Sequence, residues 1–308
     1  MQNLEKLLEK LNQKLEYNNQ LNYQILMSNI ITNLDIDKKD KQILLLLLQN
    51  RDRNFIRIND NEEIYENITS YLKLFKPLAL PLEKLIRVGG KNDGGYVMHQ
   101  FNGGGGDCVK ALSLGVSDYS PWDLEMAQKG FKVIEYDGSI EKGPYNHPNI
   151  TFYKKFIGTN DDENTITLLQ VLKDNNLDEK LPNILQCDIE NHEWDMLESV
   201  DISLLSKYFS QIIFEFHGLN PEEKDGAQKR LRLLQKINEY FAPIHTHLNN
   251  HGKIFYSKGL FWSTTAEVSY LRKNDAKDYE NTYRKSGNLI KLDSVTFLSN
   301  PEIPLRFI

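Results

Sequence analysis

Features that would quickly place a chain in one class of protein are scarce in these 308 residues. There are two cysteines, Cys108 and Cys187, and both lie beside predicted strands. We expect buried thiols rather than a disulfide, which indicates a reducing compartment. The longest apolar run, residues 43–48, is far too short to span a bilayer. The start of the chain also lacks the basic head and apolar stretch of a signal peptide. Together these absences predict a cytoplasmic protein without a membrane span.

An excess of positive charge, which a nucleic-acid partner requires, is also missing. The formal net charge is -6, whereas a protein that binds a phosphate backbone carries a basic surface. We therefore expect a small-molecule substrate and no nucleic acid. A chain of this length has room for one large domain and a smaller one.

The most informative stretch, residues 109–137, reads as strand, glycine turn, helix and strand. The first apolar run stops at Gly115, polar residues and a proline mark a helix start, and the second apolar run stops at Asp137. Such a unit binds ligands at the carboxyl ends of its strands, where an acidic residue can hydrogen-bond a ribose. The alternative is an ordinary turn followed by a solvated carboxylate.

The glycine pattern decides between the cofactors that carry a ribose. A dinucleotide fold uses G-x-G-x-x-G so that the backbone can approach a pyrophosphate, but Gly115 is followed by Val, Ser and Asp. The carboxylate of Asp118 would repel a pyrophosphate and tolerate a cationic sulfonium. We therefore predict S-adenosylmethionine as the cofactor. An NAD-linked sugar dehydrogenase or epimerase is the alternative, and the absence of a Tyr-x-x-x-Lys pair on a predicted helix also disfavours it.

A second glycine-rich stretch, residues 85–98, precedes this unit. Its glycines allow the backbone to fold around a small ligand. Arg87 and Asp93 could bind the carboxylate and the ammonium of a methionine-type cofactor. A tight turn before an edge strand at 96–99 is the alternative. The glycine run at 103–106 predicts a hairpin tip, and it is no P-loop because no Lys-Ser/Thr follows.

Strands and helices continue to alternate after Asp137. We predict strands at 150–156, 183–189, 211–216, 243–248 and 260–271, and helices at 163–173, from 194 onward, and at 221–240. The turn predicted around 252–258 is too short for a parallel crossover. The last strand should therefore run antiparallel in an otherwise parallel sheet of seven strands.

Polar residues gather at the predicted carboxyl ends of these strands. One strand delivers Asp188 and Glu190, and the next delivers Glu215 and His217. His217 is the candidate general base for a hydroxyl acceptor, and Glu190 and Glu215 could hold sugar hydroxyls or orient it. These residues could instead bind a divalent cation, although one histidine counts against magnesium. Asp188 and Glu190 could also merely cap the next helix.

The sixth strand ends in a run of polar residues, HTHLNN, that is richer in polar groups than a buried strand needs. We predict that His247, Asn249 and Asn250 face the substrate. A structural role is the usual fate of a lone histidine in a strand.

Residues 1–80 form a distinct helical segment before a catalytic domain at 81–308. A stripe of leucines recurs at helical spacing in the first helix, and further helices are predicted at 39–50 and 62–75. So long a stripe needs a partner surface, which predicts a homodimer or higher homo-oligomer. A capping role, or simple packing against the catalytic domain, is the alternative.

Five segments in order resemble the FkbM-type and related class I methyltransferases over about residues 85–272. They are RVGGKNDGGYV, ALSLGVSDYSPWDLEMAQKGFKVIEYDG, LQCDIENHEWDML, QIIFEFHGL and HTHLNN. The resemblance implies a Rossmann-like α/β fold in which Gly115 and Asp137 hold S-adenosylmethionine and Phe156 and Ile157 line the adenine. The chain departs from the family pattern D-x-E-G-x-E at Asn191, which leaves the turn geometry and the role of Glu193 open.

FkbM-like proteins often modify sugars or polyketides. We therefore expect an O-methyltransferase that acts on a nucleotide-activated or capsular sugar, in a bacterium whose AT-rich genome explains the frequent Lys, Asn and Ile. A scaffold with an inactive methyltransferase-like domain is the alternative from another class.

The predicted site is as follows. The cofactor-binding residues are Arg87, Asp93, Gly94, Gly115, Ser117, Asp118, Asp137, Gly138, Phe156, Ile157 and Asp188. The catalytic residues are His217, Asp188 and Glu190, and the substrate-binding residues are Glu215, His247, Asn249 and Asn250. Metal dependence stays open.

Overall fold

The computed structural model describes residues 2–50, 55–101 and 108–308, so the glycine run at 103–106 lies outside the described residues. The helices are α1 (Gln2–Asn33), α2 (Lys38–Asn50), α3 (Glu62–Leu74), α4 (Pro121–Gln128), α5 (Leu168–Asp174), α6 (Glu193–Ser199), α7 (Ile202–Tyr208) and α8 (Lys224–Tyr240). The strands are β1 (Ile56–Ile58), β2 (Leu85–Val88), β3 (Tyr96–His99), β4 (Lys110–Leu114), β5 (Lys132–Tyr136), β6 (Ile150–Tyr153), β7 (Phe156–Gly158), β8 (Thr165–Thr167), β9 (Asn183–Cys187), β10 (Phe209–Phe216), β11 (Phe241–Leu248), β12 (Ile254–Ser257), β13 (Leu260–Ser263) and β14 (Ala266–Arg272).

A seven-stranded sheet in the order β11-β14-β10-β9-β4-β5-β6 organises the molecule. The pairs among β6, β5, β4, β9 and β10 are parallel, and β14 runs antiparallel between β10 and β11. The predicted fold class, a mostly parallel α/β sheet with one antiparallel strand, is confirmed. The chain leaves β4 toward β5 on one side and later returns to β9 on the other. Ligands bind at such a switch point, outside the carboxyl ends of the strands.

The antiparallel strand starts later than predicted, and its connection to β11 is longer. Residues 260–263 belong to β13, which pairs with β12 in a separate sheet that also contains β1. The last strand of the main sheet begins only at Ala266. Its direction is as predicted. The short connection to β11, from which we inferred that direction, was predicted wrongly, because residues 249–265 contain the β12–β13 hairpin.

The chain between β6 and α5 also differs from the prediction. The strand predicted at 150–156 is divided, because Phe156 opens β7, which pairs with β8 rather than with the main sheet. The helix predicted from residue 163 starts at Leu168. Thr167 determines this start, since its Oγ1 accepts a hydrogen bond from the backbone N–H of Gln170 at 3.2 Å.

An aromatic layer joins the N-terminal part of the chain to the sheet. The ring of Tyr71, on α3, stacks on Trp262 with centroids 5.1 Å apart, and Phe75 stacks on Phe216 at 5.8 Å. These rings are buried in the same hydrophobic core as the strands. How the chain divides into domains stays a prediction. Within the described ranges, no helix is both long enough and apolar enough to cross a membrane.

Candidate active site

The turn after β4 leaves no space for a side chain. Gly115 has a φ of +80°, and a Cβ there would lie 1.7 Å from the carbonyl oxygen of Asp188. The neighbouring main chains are tied together, since the N–H of Asp188 donates to the carbonyl of Leu114 at 2.8 Å. Glycine is therefore required at this position by backbone conformation and by space.

Asp137 holds the glycine turn against the end of β5. Its Oδ2 accepts hydrogen bonds from the backbone N–H groups of Val116 and Ser117, both at 2.9 Å. Its Oδ1 accepts from the N–H and the hydroxyl of Ser139, at 2.7 and 2.6 Å. Burial alone would raise the pKa of Asp137, but these hydrogen bonds outweigh burial and hold that pKa below its usual range. Because four donors already contact the carboxylate, a ribose hydroxyl would compete with Ser139.

An apolar cavity of about 220 Å³ lies beside Asp137. A Cβ on Gly138 would lie 2.3 Å from the ring of Phe156, so this glycine allows the ring to pack against the main chain. Ile157 and Tyr136 add apolar surface to the lining. Flat apolar walls suit a purine ring, and the predicted role of Phe156 and Ile157 at the adenine stays a prediction.

Two further cavities meet the first at Asp188 and Glu190, which line all three. The second cavity, of about 310 Å³, lies along both glycine turns; its other lining residues include Asp93, Gly94, Tyr96, Gly115, Ser117 and Asp137. The third, of about 370 Å³, opens toward β10 and β11; its other lining residues include Asp93, Glu215, His217, Asn249, His251 and Thr296.

Asp188 lies where the cavities join. Its Oδ1 is buried and has no hydrogen-bond partner among the described residues. Burial raises the pKa of Asp188 to about 7; the charge of His217 opposes this shift, and the charges of Glu190, Glu193 and Asp93 add to it. Near neutral pH the Asp188 carboxyl is therefore partly protonated.

One ring nitrogen of His217 contacts a neighbouring side chain, and the other faces the third cavity. Its Nδ1 lies 3.0 Å from Oε1 of Glu193. Its Nε2 lies 3.5 Å from Oε2 of Glu190 and 3.9 Å from oxygens of both Asp188 and Glu215. Burial alone would lower the pKa of His217, but the hydrogen bond and charge of Glu193, followed by the other carboxylates, raise it above its usual value.

The turn between β9 and α6 shows how the chain accommodates Asn191 and where it places Glu193. Glu190 and Asn191 have φ values of 52° and 79°. Asn enters this left-handed region more readily than most residues, so it can occupy a position where the family pattern has glycine. Glu193 follows at the start of α6, and its Oε1 accepts hydrogen bonds from the N–H groups of Ile189 and Asn191 at 3.1 and 3.3 Å. The spacing D-x-E-x-x-E is the sequence signal for this arrangement.

Glu215 and Asn249 form the far wall of the third cavity. The amide of Asn249 donates to Oε1 of Glu215 at 2.7 Å, and the hydroxyl of Tyr96 donates to its Oε2 at 3.4 Å. Burial, followed by the charges of Asp188 and Glu267, raises the pKa of Glu215 well above its usual value. Sequence reasoning missed Tyr96, because no motif marks a tyrosine on β3.

Two predicted cofactor residues lie outside the linings of these cavities. The Arg87 guanidinium donates to the carbonyls of Gly90 and Asn92, the latter at 2.8 Å, and so holds the first glycine turn closed. Asp118 lies in an exposed turn. This placement gives Arg87 a role in shaping the loop and gives Asp118 no contact with the cavities.

Two predicted substrate residues are also engaged elsewhere. His247 is buried between Glu267 and Glu302, with nitrogen–oxygen distances of 3.2 and 2.9 Å. The amide of Asn250 donates to the carbonyls of Phe297 and Asn300, at 3.0 and 3.1 Å. Both side chains fasten the C-terminal segment to the sheet rather than line the third cavity.

A divalent cation also fits part of the site. Asp188, Glu190 and His217 each offer one oxygen or nitrogen atom, and these atoms all lie within 4.8 Å of one another. Two carboxylates and an imidazole form a donor set that several divalent metals accept. The buried Oδ1 of Asp188 would gain a partner from such an ion.

The sheet order and the position of its antiparallel strand are those of a Rossmann-like class I methyltransferase. The chain belongs to the FkbM family of methyltransferase domains, since the model of the methyltransferase FkbM domain matches residues 12–255. This match starts well before the region, about 85–272, over which the motifs carry the resemblance, so it includes most of the N-terminal helices.

No curated protein matches the chain in sequence. Among solved structures, a chain from a structure described as a fibrillarin/Nop5p complex is similar over 54% of this chain and 74% of that chain. The identity is 10% and the TM-score 0.34. A likeness this weak supports no conclusion about ligands or partners.

Proposed function

We propose that this chain transfers the methyl group of S-adenosylmethionine to a hydroxyl group of a small polar acceptor. The observation that supports this most is that three cavities of different chemistry meet at Asp188 and Glu190. The first cavity is apolar, and the second lies along the glycine turns. The third is lined by His217, whose Nε2 atom faces it. The first two match a purine, a ribose and a cationic amino-acid tail, and the third matches an acceptor.

The residues of the cofactor half fit this ligand. When bound, S-adenosylmethionine would supply an electrophilic methyl group on a sulfonium. Asp137, whose pKa is held below its usual range, gives the second cavity a negative potential that favours the cationic sulfonium and ammonium groups. Asp93 and Asp188 line the same cavity and would add to this potential to the extent that they are ionised. Gly115 lets the main chain of Asp188 pack directly against the turn that lines the second cavity. Asp137 with Ser117 would meet the ribose.

His217 is the proposed proton acceptor. Its Nε2 faces the third cavity, where the acceptor hydroxyl would lie. Holding the hydroxyl and the methyl group in line can contribute about 7–11 kcal/mol to catalysis, and a positioned base typically adds a further factor of about 10²–10⁴. Glu215 and Asn249 would bind neighbouring hydroxyl groups of the acceptor.

A nucleotide-activated or capsular sugar is the acceptor that we favour. The carboxyl groups around His217 are suited to a polyhydroxylated ring. Because like charges repel, they disfavour a phosphate close to the reacting hydroxyl. The sugar ring would therefore occupy the third cavity and any phosphates would lie outside it. We also infer that the enzyme works in the bacterial cytoplasm as a homodimer.

Calorimetric titration with S-adenosylhomocysteine, with NAD as the comparison ligand, tests the cofactor assignment. We expect S-adenosylhomocysteine to bind and NAD not to bind. Asp137→Ala should weaken binding about 10-fold or more, because it releases the glycine turn and removes charge-assisted hydrogen bonds. Asp118→Ala, which removes an exposed carboxylate from the same loop, is the matched control and should bind as the wild type does.

His217→Ala should bind S-adenosylhomocysteine normally and lower turnover with a sugar acceptor about 100-fold or more. Binding of NAD alone would overturn the proposal, and binding of neither ligand would favour the inactive scaffold. Loss of turnover after treatment with EDTA, restored by Mg²⁺, would assign Asp188, Glu190 and His217 to a metal site instead.

A further inference from the structure

We propose that Glu193 is a positioning residue of this site, which fixes the tautomer of His217 and so directs the lone pair of Nε2 into the third cavity. The inference rests on the proposed methyl transfer and deepens it. It gives a function to a buried carboxylate that otherwise appears only as the last member of a sequence motif.

Glu193 is held in place independently of His217. The residue has no exposed surface. Its Oε1, which lies 3.0 Å from Nδ1 of His217, also accepts the backbone N–H groups of Ile189 and Asn191. A carboxylate bound by two main-chain donors cannot turn away without leaving both of them unpaired, which is costly in a buried site.

An acceptor fixed at Nδ1 determines where the imidazole proton resides. A carboxylate only accepts hydrogen bonds, so the neutral ring must carry its proton on Nδ1 to satisfy it. The other tautomer would place the lone pair of Nδ1 against an oxygen of Glu193 at 3.0 Å. With the proton on Nδ1, the lone pair of Nε2 is free for a proton from the acceptor.

Trp194, which follows Glu193 on α6, fixes the main chain of His217. The indole N–H of Trp194 donates to the carbonyl of His217 at 2.7 Å. The next turn is packed as tightly, because a Cβ on Gly218 would lie 2.3 Å from Oδ1 of Asn191. The start of α6 therefore holds both the backbone and the ring of His217.

The other carboxylates near the ring act differently. Glu190, Asp188 and Glu215 lie 3.5–3.9 Å from Nε2, on the side where the acceptor would enter. At these longer distances they favour a proton on Nε2 less strongly than the 3.0 Å contact with Glu193 favours one on Nδ1. They therefore change the charge around the ring without setting the tautomer. Glu190→Gln is therefore a matched control for Glu193→Gln, since each variant removes one carboxylate charge beside the same imidazole.

Nitrogen-15 NMR of the histidine rings in the full-length protein tests the inference directly. The His217 signals are assigned by their loss in His217→Gln. At a pH where the ring is neutral, we expect the wild type to show the tautomer protonated on Nδ1. Glu193→Gln should give a mixture of tautomers and a lower pKa for His217, whereas Glu190→Gln should keep the wild-type tautomer.

Kinetics supply the second readout. Glu193→Gln should lower kcat about 10- to 100-fold and shift the pH profile of kcat to lower pH, with KM and the affinity for S-adenosylhomocysteine within about twofold of the wild type. Glu193→Asp, which keeps the charge, should retain the wild-type tautomer.

A wild-type ring protonated on Nε2 would overturn the inference however the variants fold, because that measurement needs no variant. An unchanged tautomer in folded Glu193→Gln would overturn it as well. Since the NMR experiment needs no turnover, an inactive protein with the Nδ1 tautomer would contradict only the proposed methyl transfer.

Discussion

Two histidines at the ends of strands show how surroundings decide what an imidazole can do. His217 has one nitrogen on Glu193 and the other at a cavity, so it can exchange a proton with a ligand. His247 is 1% exposed and has Glu267 at one nitrogen and Glu302 at the other. With both nitrogens engaged, His247 acts as a buried cation that joins the C-terminal segment to the sheet.

We expect the stability that His247 contributes to fall as the pH rises. Burial alone would lower the pKa of His247, but Glu267 and Glu302 raise it well above its usual value. A group whose pKa is raised by folding contributes fully below its unfolded pKa of about 6.5, and the contribution is lost as pH rises through the folded pKa. Urea unfolding at a series of pH values above about 6 measures this loss.

The difference in the free energy of unfolding between the wild type and His247→Gln separates the effect of His247 from that of other titrating groups. The variant should lower the free energy of unfolding by about 3 kcal/mol near pH 6, because it leaves the buried carboxylate of Glu267 without its cationic partner. The difference in the free energy of unfolding between the two proteins should narrow at higher pH. The exposed His192→Gln is the control and should leave the pH dependence unchanged. A gap that is the same at every pH would contradict the prediction.

At the scale of secondary-structure elements, the sequence predicts those whose signal is local. Strands β4, β5, β9 and β10 are short apolar runs that end at Gly115, Asp137, Asp188 and His217, and the structure has all four. The small sheets are different, because β1 pairs with β12 and β7 with β8 through strands of three or four residues. No periodicity encodes such pairing, since strand propensity depends on the partner.

The same distinction between local sequence signals and tertiary packing explains which residues of the site could be predicted from the sequence. Asp188, Glu215, His217 and Asn249 were predictable together, because the carboxyl ends of parallel strands meet at one edge of the sheet. His247 and Asn250 lie at the end of a strand in the same way, and Arg87 was predicted from its glycine-rich stretch, yet all three fasten loops. A polar residue that binds a ligand and one that binds a neighbouring loop have the same local signature, so only tertiary packing separates them.

The turn that carries Asn191 should be the element most sensitive to a change in backbone preference. Asn191→Gly keeps the left-handed φ of 79° accessible and should retain turnover. Asn191→Val should cost about 1–2 kcal/mol of stability, since a branched residue resists this conformation, and it should lower turnover because Glu193 shifts away from His217. Thermal unfolding and initial rates measure the two effects.

Asn176 provides the control for this experiment. It also has a positive φ, of 47°, but lies in an exposed turn after α5. Asn176→Val should lower stability by a similar amount and leave turnover unchanged. If both variants lost turnover equally, the turn at Asn191 would have no specific connection to the site.

At the scale of the whole molecule, α1 extends beyond the body of the protein. Its second half is anchored, since Ile31 is buried and Tyr23 and Met27 pack against the core. Residues 4–19 are exposed throughout. Five leucines of this half, Leu4, Leu7, Leu8, Leu11 and Leu15, are each 51–65% exposed. An isolated helix is marginal in water, and a continuous apolar stripe of this kind indicates a partner surface.

A second copy of the chain is the partner that the spacing favours. Leu4, Leu8, Leu11 and Leu15 alternate between steps of four and three residues, the repeat of a coiled-coil seam. Both acidic and basic residues flank this seam, so two copies can pair without an excess of like charge. The aromatic stack of Tyr71 and Trp262 shows that α3, unlike this half of α1, belongs to the core. A test of self-association should therefore change only α1.

Light scattering on the full-length protein and on the double variant Leu8→Glu with Leu15→Glu tests this arrangement. The wild type should have twice the chain mass of 35.8 kDa and the variant the mass of one chain, because charges introduced at a coiled-coil seam repel across it. Leu46→Glu, at an exposed leucine of α2, is the matched control and should remain dimeric. The stripe lies outside the three cavity linings, so the monomeric variant should still bind S-adenosylhomocysteine. An unchanged mass in the double variant, or a wild type that is already monomeric, would leave the leucine stripe without a role in self-association.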